Sequence, residues 1–330
     1  MIKVSVIMSV YNGLPNLYES IESLQNQKFE HFEVIVVDDG SSDGSRDVLN
    51  KVQLEDPRFI TYFNRDNIGL TKSLNIAIGL TQGEYIARMD DDDIALPLRL
   101  KKQSVFLDDN PSVGVVGSYA ELIGDRVGIR KHDLHDEDLK CKTLFSCQFC
   151  HPSTMIRKSV LSKNNISYDE EYTTAQDYKL WVDLLGVTKF STIPEVLLKY
   201  RVHSGQISST KQEEQAANTQ RIYNEIFSRL GFNCNESNLK FHKILASFSH
   251  IPLNVEQLKG VSDHIHSIIE GNSRSGLFPH KRLSCLLSEM FYNLLKTSNI
   301  GRREKVLLFF DNQHHRNFTT KHTKLKLYFS

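Results

Sequence analysis

Four consecutive aspartates, Asp90 to Asp93 in "RMDDDDIALPLRL", are the strongest chemical signal in the sequence. Adjacent carboxylates repel one another, so a folded chain needs a reason to hold them together. Hard carboxylate oxygens suit Mg2+ or Mn2+, which take few protein ligands and keep positions for water and phosphate. A metal held in this way against a diphosphate serves phosphate leaving-group chemistry. The competing reading is a solvated acidic turn that caps the next helix, where Asp is favourable. Taken alone, the run fits either. An EF-hand is excluded, because Ile94-Ala95-Leu96-Pro97 follows where alternate acids and a central Gly are needed.

Other groups capable of chemistry are scattered. "VVDDGSSDGS" carries Asp38 and Asp39 into an Asp-Gly turn, where a carboxylate can hydrogen-bond a base or a ribose or simply cap a helix. Neither GxGxxG nor a Walker pattern is present, which disfavours a dinucleotide or P-loop site. "AQDYKLW" places Asp177 at a helix start, as a cap or, if it faces the site, a general base. "YRVHSGQIS" ends a strand with Arg201 and His203, both able to touch phosphate or metal. "CQFCH", Cys147 to His151, matches a c-type haem pattern and with Cys141 suggests zinc. Haem attachment needs export and the zinc ligand set is incomplete, so buried structural thiols are the better reading.

Elements that would position these groups follow from periodicity. "KVSVIMSVYN", "FEVIVVDDGS", "FITYFNRDN" and "EYIARMD" are short, β-branched runs that read as buried strands. Helical spacing separates them, for example Leu17, Ile21 and Leu24, and Leu74, Ala77 and Ile78. A β-α-β-α-β-α-β order predicts an open, mostly parallel sheet with helices on both faces. Ligands collect at the carboxyl ends of such strands, where Tyr11, Asp38/Asp39 and Asp90–Asp93 all fall. Later, "SVGVVGSYAELIG" and "EVLLKYRVH" read as strands and "DEDLKCKTLF" and "DYKLWVDLLG" as helices. From about Gln212 the pattern is almost entirely helical, and the composition shifts near residues 205–215.

The 330 residues hold 40 basic and 40 acidic groups, so nothing in the total favours nucleic acid as partner. From Gly231 to Ser330 there are 14 Lys/Arg and 7 Asp/Glu, a net of +7, leaving −7 for residues 1–230. Such a basic region reads as a solvated face, a partner site or a peripheral contact with an acidic membrane, above all the terminal "HHRNFTTKHTKLKLYFS". No secretory signal and no membrane-spanning run is visible, so the chain is expected to be cytoplasmic with its five cysteines as thiols.

Six blocks in order resemble the family 2 glycosyltransferases, which have the GT-A fold. They are "VSVIMSVYNG" (with Ser9 where Pro is frequent), "FEVIVVDDGSSDGS", "RDNIGLTKSLNIAIGLTQGEYIARMDDDDIALPLRL", "HPSTMIRKSVL", "AQDYKLWVDLL" and "YRVHSGQIS". The resemblance implies a GT-A domain over 1–210, with a nucleotide-sugar half at 1–100 and an acceptor half at 101–210. Residues 211–330 form a helical region that it does not cover. It implies that Ser9, Tyr11, Asp39, Arg65, Asn67 and Asp90 bind the nucleotide, and that Asp92 and His203 meet a Mn2+ or Mg2+ ion. Asp90 and Asp92 then form a DxD motif with Asp91 as an unusual filler, and Asp93 is a helix-start or supporting acid. Asp177 matches the catalytic base, beside Gln176 where Glu is frequent; losing that like charge makes Asp177 easier to ionise.

The implied reaction is inverting transfer of a hexosyl or N-acetylhexosaminyl group from a UDP-sugar to a hydroxyl of a glycan or lipid-linked glycan, in a bacterial surface-polysaccharide setting. The rival readings are a non-catalytic nucleotide-sugar-binding protein on the same fold and a sugar nucleotidyltransferase. The second lacks a glycine-rich, basic triphosphate loop after the first strand.

Overall fold

The computed structural model describes residues 1–206, 210–247 and 253–311; the basic tail from 314 onward lies outside them. These residues form two compact units. One comprises Met1–Leu139 and Cys147–Asn218, the other Lys140–Ser146 and the helices after Thr219.

The first unit is built on a nine-stranded sheet. β1 (Val4–Val10), β2 (Phe32–Asp38), β3 (Phe59–Phe63) and β4 (Tyr85–Met89) run parallel in the order 3-2-1-4. Every residue of β1, β2 and β4 is buried, as expected for strands covered on both faces. β3 stands at the edge and shows alternating burial instead. Val4, Val6, Met8 and Val10 face α1 (Leu17–Gln25) and α2 (Ser45–Glu55) through Leu17, Ile21, Leu24, Leu49 and Val52. The opposite face receives α3 (Leu70–Leu80), which buries Leu74 and Ala77 against β1 and β2. At ~25 cal/mol per Å2, burying each such aliphatic side chain contributes about 1.5–3 kcal/mol.

Beyond β4 the sheet becomes mixed. β5 (Ile94–Ala95) follows the aspartates, and α4 (Arg99–Asp109) leads to β6 (Val113–Gly124). β7 (Gly128–Arg130) folds back on β6 as a hairpin, and α5 (Asp136–Thr143) follows. β8 (Met155–Arg157) inserts antiparallel between β4 and β6, before α6 (Lys158–Asn164) and α7 (Gln176–Asp183). β9 (Lys189–Val202) pairs parallel with β6 and antiparallel with β5. The carboxyl ends of β1, β2, β4, β6 and β9 therefore share one rim.

The second unit consists of the end of α8 (Gln212–Arg229) with α9 (Glu236–Ser247), α10 (Val255–Ser275), α11 (His280–Thr297) and α12 (Arg302–Asp311). α10 buries Leu258, Val261, Ile265, Ile268 and Ile269, the one-sided stripe of an amphipathic helix. A capping box between Asn254 and Gln257 starts it, and Gly276, at φ +63°, stops it. Among the described residues no helix is long and apolar enough to cross a membrane.

Candidate active site

Each strand of the parallel half ends in a polar group at the rim. Ser9 is buried near the end of β1, opposite Val37 of β2. Tyr11, just beyond it, exposes 52% of its surface. The following loop is tied to the loop after β2, because the Asn12 N–H donates to Ser41 Oγ (2.9 Å) and the Ser42 N–H donates to Asn12 Oδ1 (2.9 Å).

Asp39 is buried and occupied. Its carboxylate accepts Asn64 Nδ2 (2.9 Å), the Ile68 N–H (2.9 Å) and the Gly69 N–H (2.8 Å), so it folds the loop after β3 around itself. Arg65 and Asn67 stand exposed on that loop. Gly40, at φ +79°, lets the two loops touch: an added Cβ would lie 2.7 Å from the Asn67 nitrogen. Asp38 is buried as well and accepts Arg46 Nε at 2.7 Å.

The four aspartates at the end of β4 diverge. Asp90, Asp92 and Asp93 each present an oxygen, all within 4.8 Å of one another. Asp90 pairs with Arg88, whose side chain is only 2% exposed. Arg99, fully buried, donates from Nη2 to the Arg88 carbonyl at 2.6 Å. Two buried guanidinium groups thus underlie the acidic run; they stand two places before it and six after it, and local pattern gave no sign of them. Asp92 Oδ2 lies 2.9 Å from His203 Nε2. Asp93 is completely buried, with Oδ1 accepting the Arg201 N–H (2.8 Å) and Oδ2 without a partner among the described residues. Asp91 turns away, and a Cβ on Gly13 would meet its Oδ2 at 2.6 Å.

The electrostatics follow from crowding. Burial, then the Asp92 and Asp90 charges, push Asp91 up to about 7. Burial and Asp90 raise Asp92, while its contact with His203 pulls it down. Burial, Asp90 and Asp92 hold Asp93 well above the ordinary carboxylate range. A divalent cation would relieve all three effects, and the orphaned Asp93 oxygen beside a carboxylate and imidazole donor set fits a hard metal.

One expectation for this segment is corrected. Asp93 does not start a helix, because β5 intervenes and α4 begins only at Arg99. The run is therefore not a helix cap. Arg201 is partly engaged within the protein: its Nε donates to the Asp92 carbonyl (2.8 Å) and its Nη2 pairs with Glu19.

Asp177 lies in the first turn of α7. Oδ1 accepts the Tyr178 N–H (2.8 Å), and Oδ2 accepts the Cys147 thiol (3.2 Å). Burial raises its pKa most; the Cys147 and backbone hydrogen bonds oppose this, and the Asp90 charge adds to the rise. Asp90 and Asp177 are thus electrostatic neighbours, although 87 residues of sequence separate them. The cysteines of "CQFCH" serve the protein itself. Cys147 holds Asp177, and Cys150 is buried with its thiol pushed up by burial and by Asp93. His151 Nε2 meets the Tyr168 hydroxyl at 2.6 Å.

Comparison with known proteins identifies the architecture. The profile of the family described as Glycosyl transferase family 2 matches residues 5–164. An uncharacterized glycosyltransferase of Haemophilus influenzae is 35% identical over 234 residues, 67% of this chain and 72% of the relative. The chain belongs to glycosyl transferase family 2. An uncharacterized glycosyltransferase from Methanocaldococcus jannaschii is 36% identical over 208 residues, covering 60% of this chain and 70% of that one. Among solved structures, S. aureus TarS 1-349 in complex with UDP-GlcNAc superposes with a TM-score of 0.61 at 20% identity, covering 89% and 90% of the two chains. The mannosyltransferase PcManGT of Pyrobaculum calidifontis, in complex with GDP-Man and Mn2+, gives 0.57 at 16%, covering 98% and 85%. The fold is the GT-A fold of these structures.

Proposed function

We propose that this chain is a metal-dependent, inverting glycosyltransferase that takes its sugar from a UDP-sugar and passes it to a hydroxyl of a glycan or lipid-linked glycan. The observation that carries the reading is the convergence of the Asp90–Asp92–Asp93 triad and His203 with Asp177 in one electrostatic neighbourhood. The relatives crystallised with UDP-GlcNAc and with GDP-Man and Mn2+ support a nucleotide-sugar donor and a divalent ion.

Asp92 and His203 are the metal ligands of this reading, with Asp90 turned toward the nucleotide and Asp93 behind them. A bound Mn2+ or Mg2+ supplies charge neutralisation for a departing diphosphate. Tyr11, half exposed, offers its ring to stack on the base. Arg65 and Asn67 flank the nucleotide from the loop that Asp39 organises, and Ser9 lines its floor. Asp39 keeps lone pairs to spare beyond its three donors, since a carboxylate accepts about four hydrogen bonds.

Asp177 takes the proton from the acceptor hydroxyl as that oxygen attacks the anomeric carbon from the face opposite the leaving group. A base must stand within ~3 Å of the acceptor oxygen. Burial makes Asp177 a stronger base than an exposed carboxylate, and the Cys147 and Tyr178 donors keep it ionised. The basic C-terminal region provides peripheral attachment to a membrane that carries a lipid-linked acceptor.

A panel of UDP-sugars with Mg2+ or Mn2+, read as UDP release, tests the reading. Metal-dependent UDP release supports it. Pyrophosphate release would indicate a nucleotidyltransferase, and tight UDP-sugar binding without turnover on any acceptor a non-catalytic binding protein.

A further inference from the structure

Beside the His203–Asp92 pair lies a cavity of about 590 Å3, walled by the β6–β7 hairpin and the end of β9. Its lining includes Arg126 and Arg130 from the hairpin and Tyr200, His203 and Gln206 from the β9 side. Neither arginine makes an ion pair or side-chain hydrogen bond with a described residue, although Asp125 shares the cavity wall with them. Arg126 and Arg130 are exposed, so the pair is presented to whatever enters. Gln206 Nε2 donates to the Tyr200 phenolic oxygen (3.1 Å), which leaves the Tyr200 O–H to donate elsewhere.

Arg130 also bears on the surroundings of the base. Its positive charge favours ionisation of Cys147, the residue that holds Asp177, and of Cys150 and Tyr200. The charge of Arg130 thus reaches both the Cys147 side of Asp177 and the cavity that Arg130 lines.

From this arrangement we infer that the cavity is an acceptor subsite for a phosphate group. The acceptor glycan carries a phosphate that Arg126 and Arg130 grip while its hydroxyl reaches Asp177. Two planar guanidinium forks match a dianionic phosphate, with one hydrogen bond from the Tyr200 O–H added to its shell. A volume near 590 Å3 suits a sugar with a phosphate substituent. The inference rests on the proposed role of Asp177 and the UDP-sugar donor.

The test is calorimetric titration of the full chain, saturated with UDP and Mg2+, with glucose 6-phosphate, glucuronate and glucose in turn. The expected result is binding of glucose 6-phosphate with a Kd of about 1 mM or tighter, at least tenfold tighter than either of the others. Arg126→Gln/Arg130→Gln should weaken that binding at least tenfold, with UDP affinity held within twofold and Tm unchanged. Arg130→Lys should recover part of it. Equal binding of phosphate and neutral sugars, preference for glucuronate, or phosphate binding indifferent to both arginines would overturn the inference. So would a parallel loss of UDP affinity, which would assign the arginines to the donor. Absence of UDP binding in the unmodified chain would instead defeat the reading on which the inference rests.

Discussion

The rim of the sheet and the core of the helical unit both bury polar groups, and they do so with opposite sign. At the rim, burial first and then the neighbouring carboxylate charges raise Asp91, Asp92 and Asp93. In the helical unit, His242 and His264 are buried 3.3 Å apart, and His242 Nε2 reaches the Leu144 carbonyl at 3.0 Å. Burial holds them neutral, His242 down to about 3 and His264 down to about 4. The rim stores repulsion that a cation can discharge. The helical core holds its histidines neutral and so carries no stored charge, although His264 Nδ1 and Ser284 Oγ have no hydrogen-bond partner among the described residues. The difference between the two regions is the crowding of like charges, which only the rim shows.

That contrast can be broken in several ways, and the largest effect belongs to the rim. Asp177→Asn is expected to lower turnover by about 10^2 to 10^4-fold, the usual worth of a general base, with UDP affinity nearly intact. A variant with ordinary turnover in a UDP-release assay defeats the assignment. Asp92→Asn should raise the Mn2+ concentration needed for half-maximal activity at least tenfold; an unchanged metal curve would remove Asp92 from the ligand set.

pH should then separate the two regions. His242 and His264 have folded pKa values below the unfolded 6.5, so the unfolded state binds more protons below that point. Their contribution to stability is complete above pH 6.5 and lost as pH falls toward 4, by about 1.4 kcal/mol per histidine per pH unit. The rim carboxylates have raised values, so their effect is reversed. In metal-free protein they favour the folded state at low pH, and the benefit is lost as pH rises through about 7 for Asp91. Hydrogen exchange, corrected for intrinsic rates, should show α10 loosening between pH 6.5 and 5 while β1 and β4 tighten. Saturating Mn2+ should abolish the second trend. Parallel behaviour of both regions would mean that the buried charges do not control either.

The smallest effects sharpen the rim itself. Asp91→Asn removes one like charge and should raise the Tm of the metal-free protein by a few degrees at pH 8, with little change when Mn2+ is present. Cys147→Ala removes a donor from Asp177 and should move the acidic limb of the kcat/KM profile upward in pH, whereas Cys147→Ser should restore it. A limb that stays in place would leave Cys147 a packing role only.

The parallel half was legible because its information is local. β1, β2 and β4 are short runs of Val, Ile and Met with turn signals behind them, and each ends in a polar residue that composition alone makes conspicuous. What was hidden depends on partners far along the chain. β8 is three residues long and exists because Met155 and Ile156 find Ala87 and Ile86, some 70 positions earlier. Arg88 and Arg99 look like surface charges until the fold buries them under the aspartates. Cys147 finds Asp177 across 30 residues. The segment Lys140–Ser146 joins the helices after Thr219, a grouping no composition boundary near residue 210 reveals. Asp39 was recognised as important, but its three donors from the next loop could not be read from a turn signal.

The meeting of Asp39 and Gly40 with the loop after β3 also bears on how such a site can evolve. Gly40 combines a left-handed backbone with main-chain atoms 2.7 Å from any added Cβ, so no other residue fits there. Asp39 must keep its oxygens for Asn64, Ile68 and Gly69. Arg65 and Asn67, exposed on the same loop, carry neither burden. Drift can therefore exchange the side chains at 65 and 67 one at a time without a folding penalty. The loop works as a fixed mount with replaceable tips, and variation in what it meets can accumulate without passing through an unfolded ancestor.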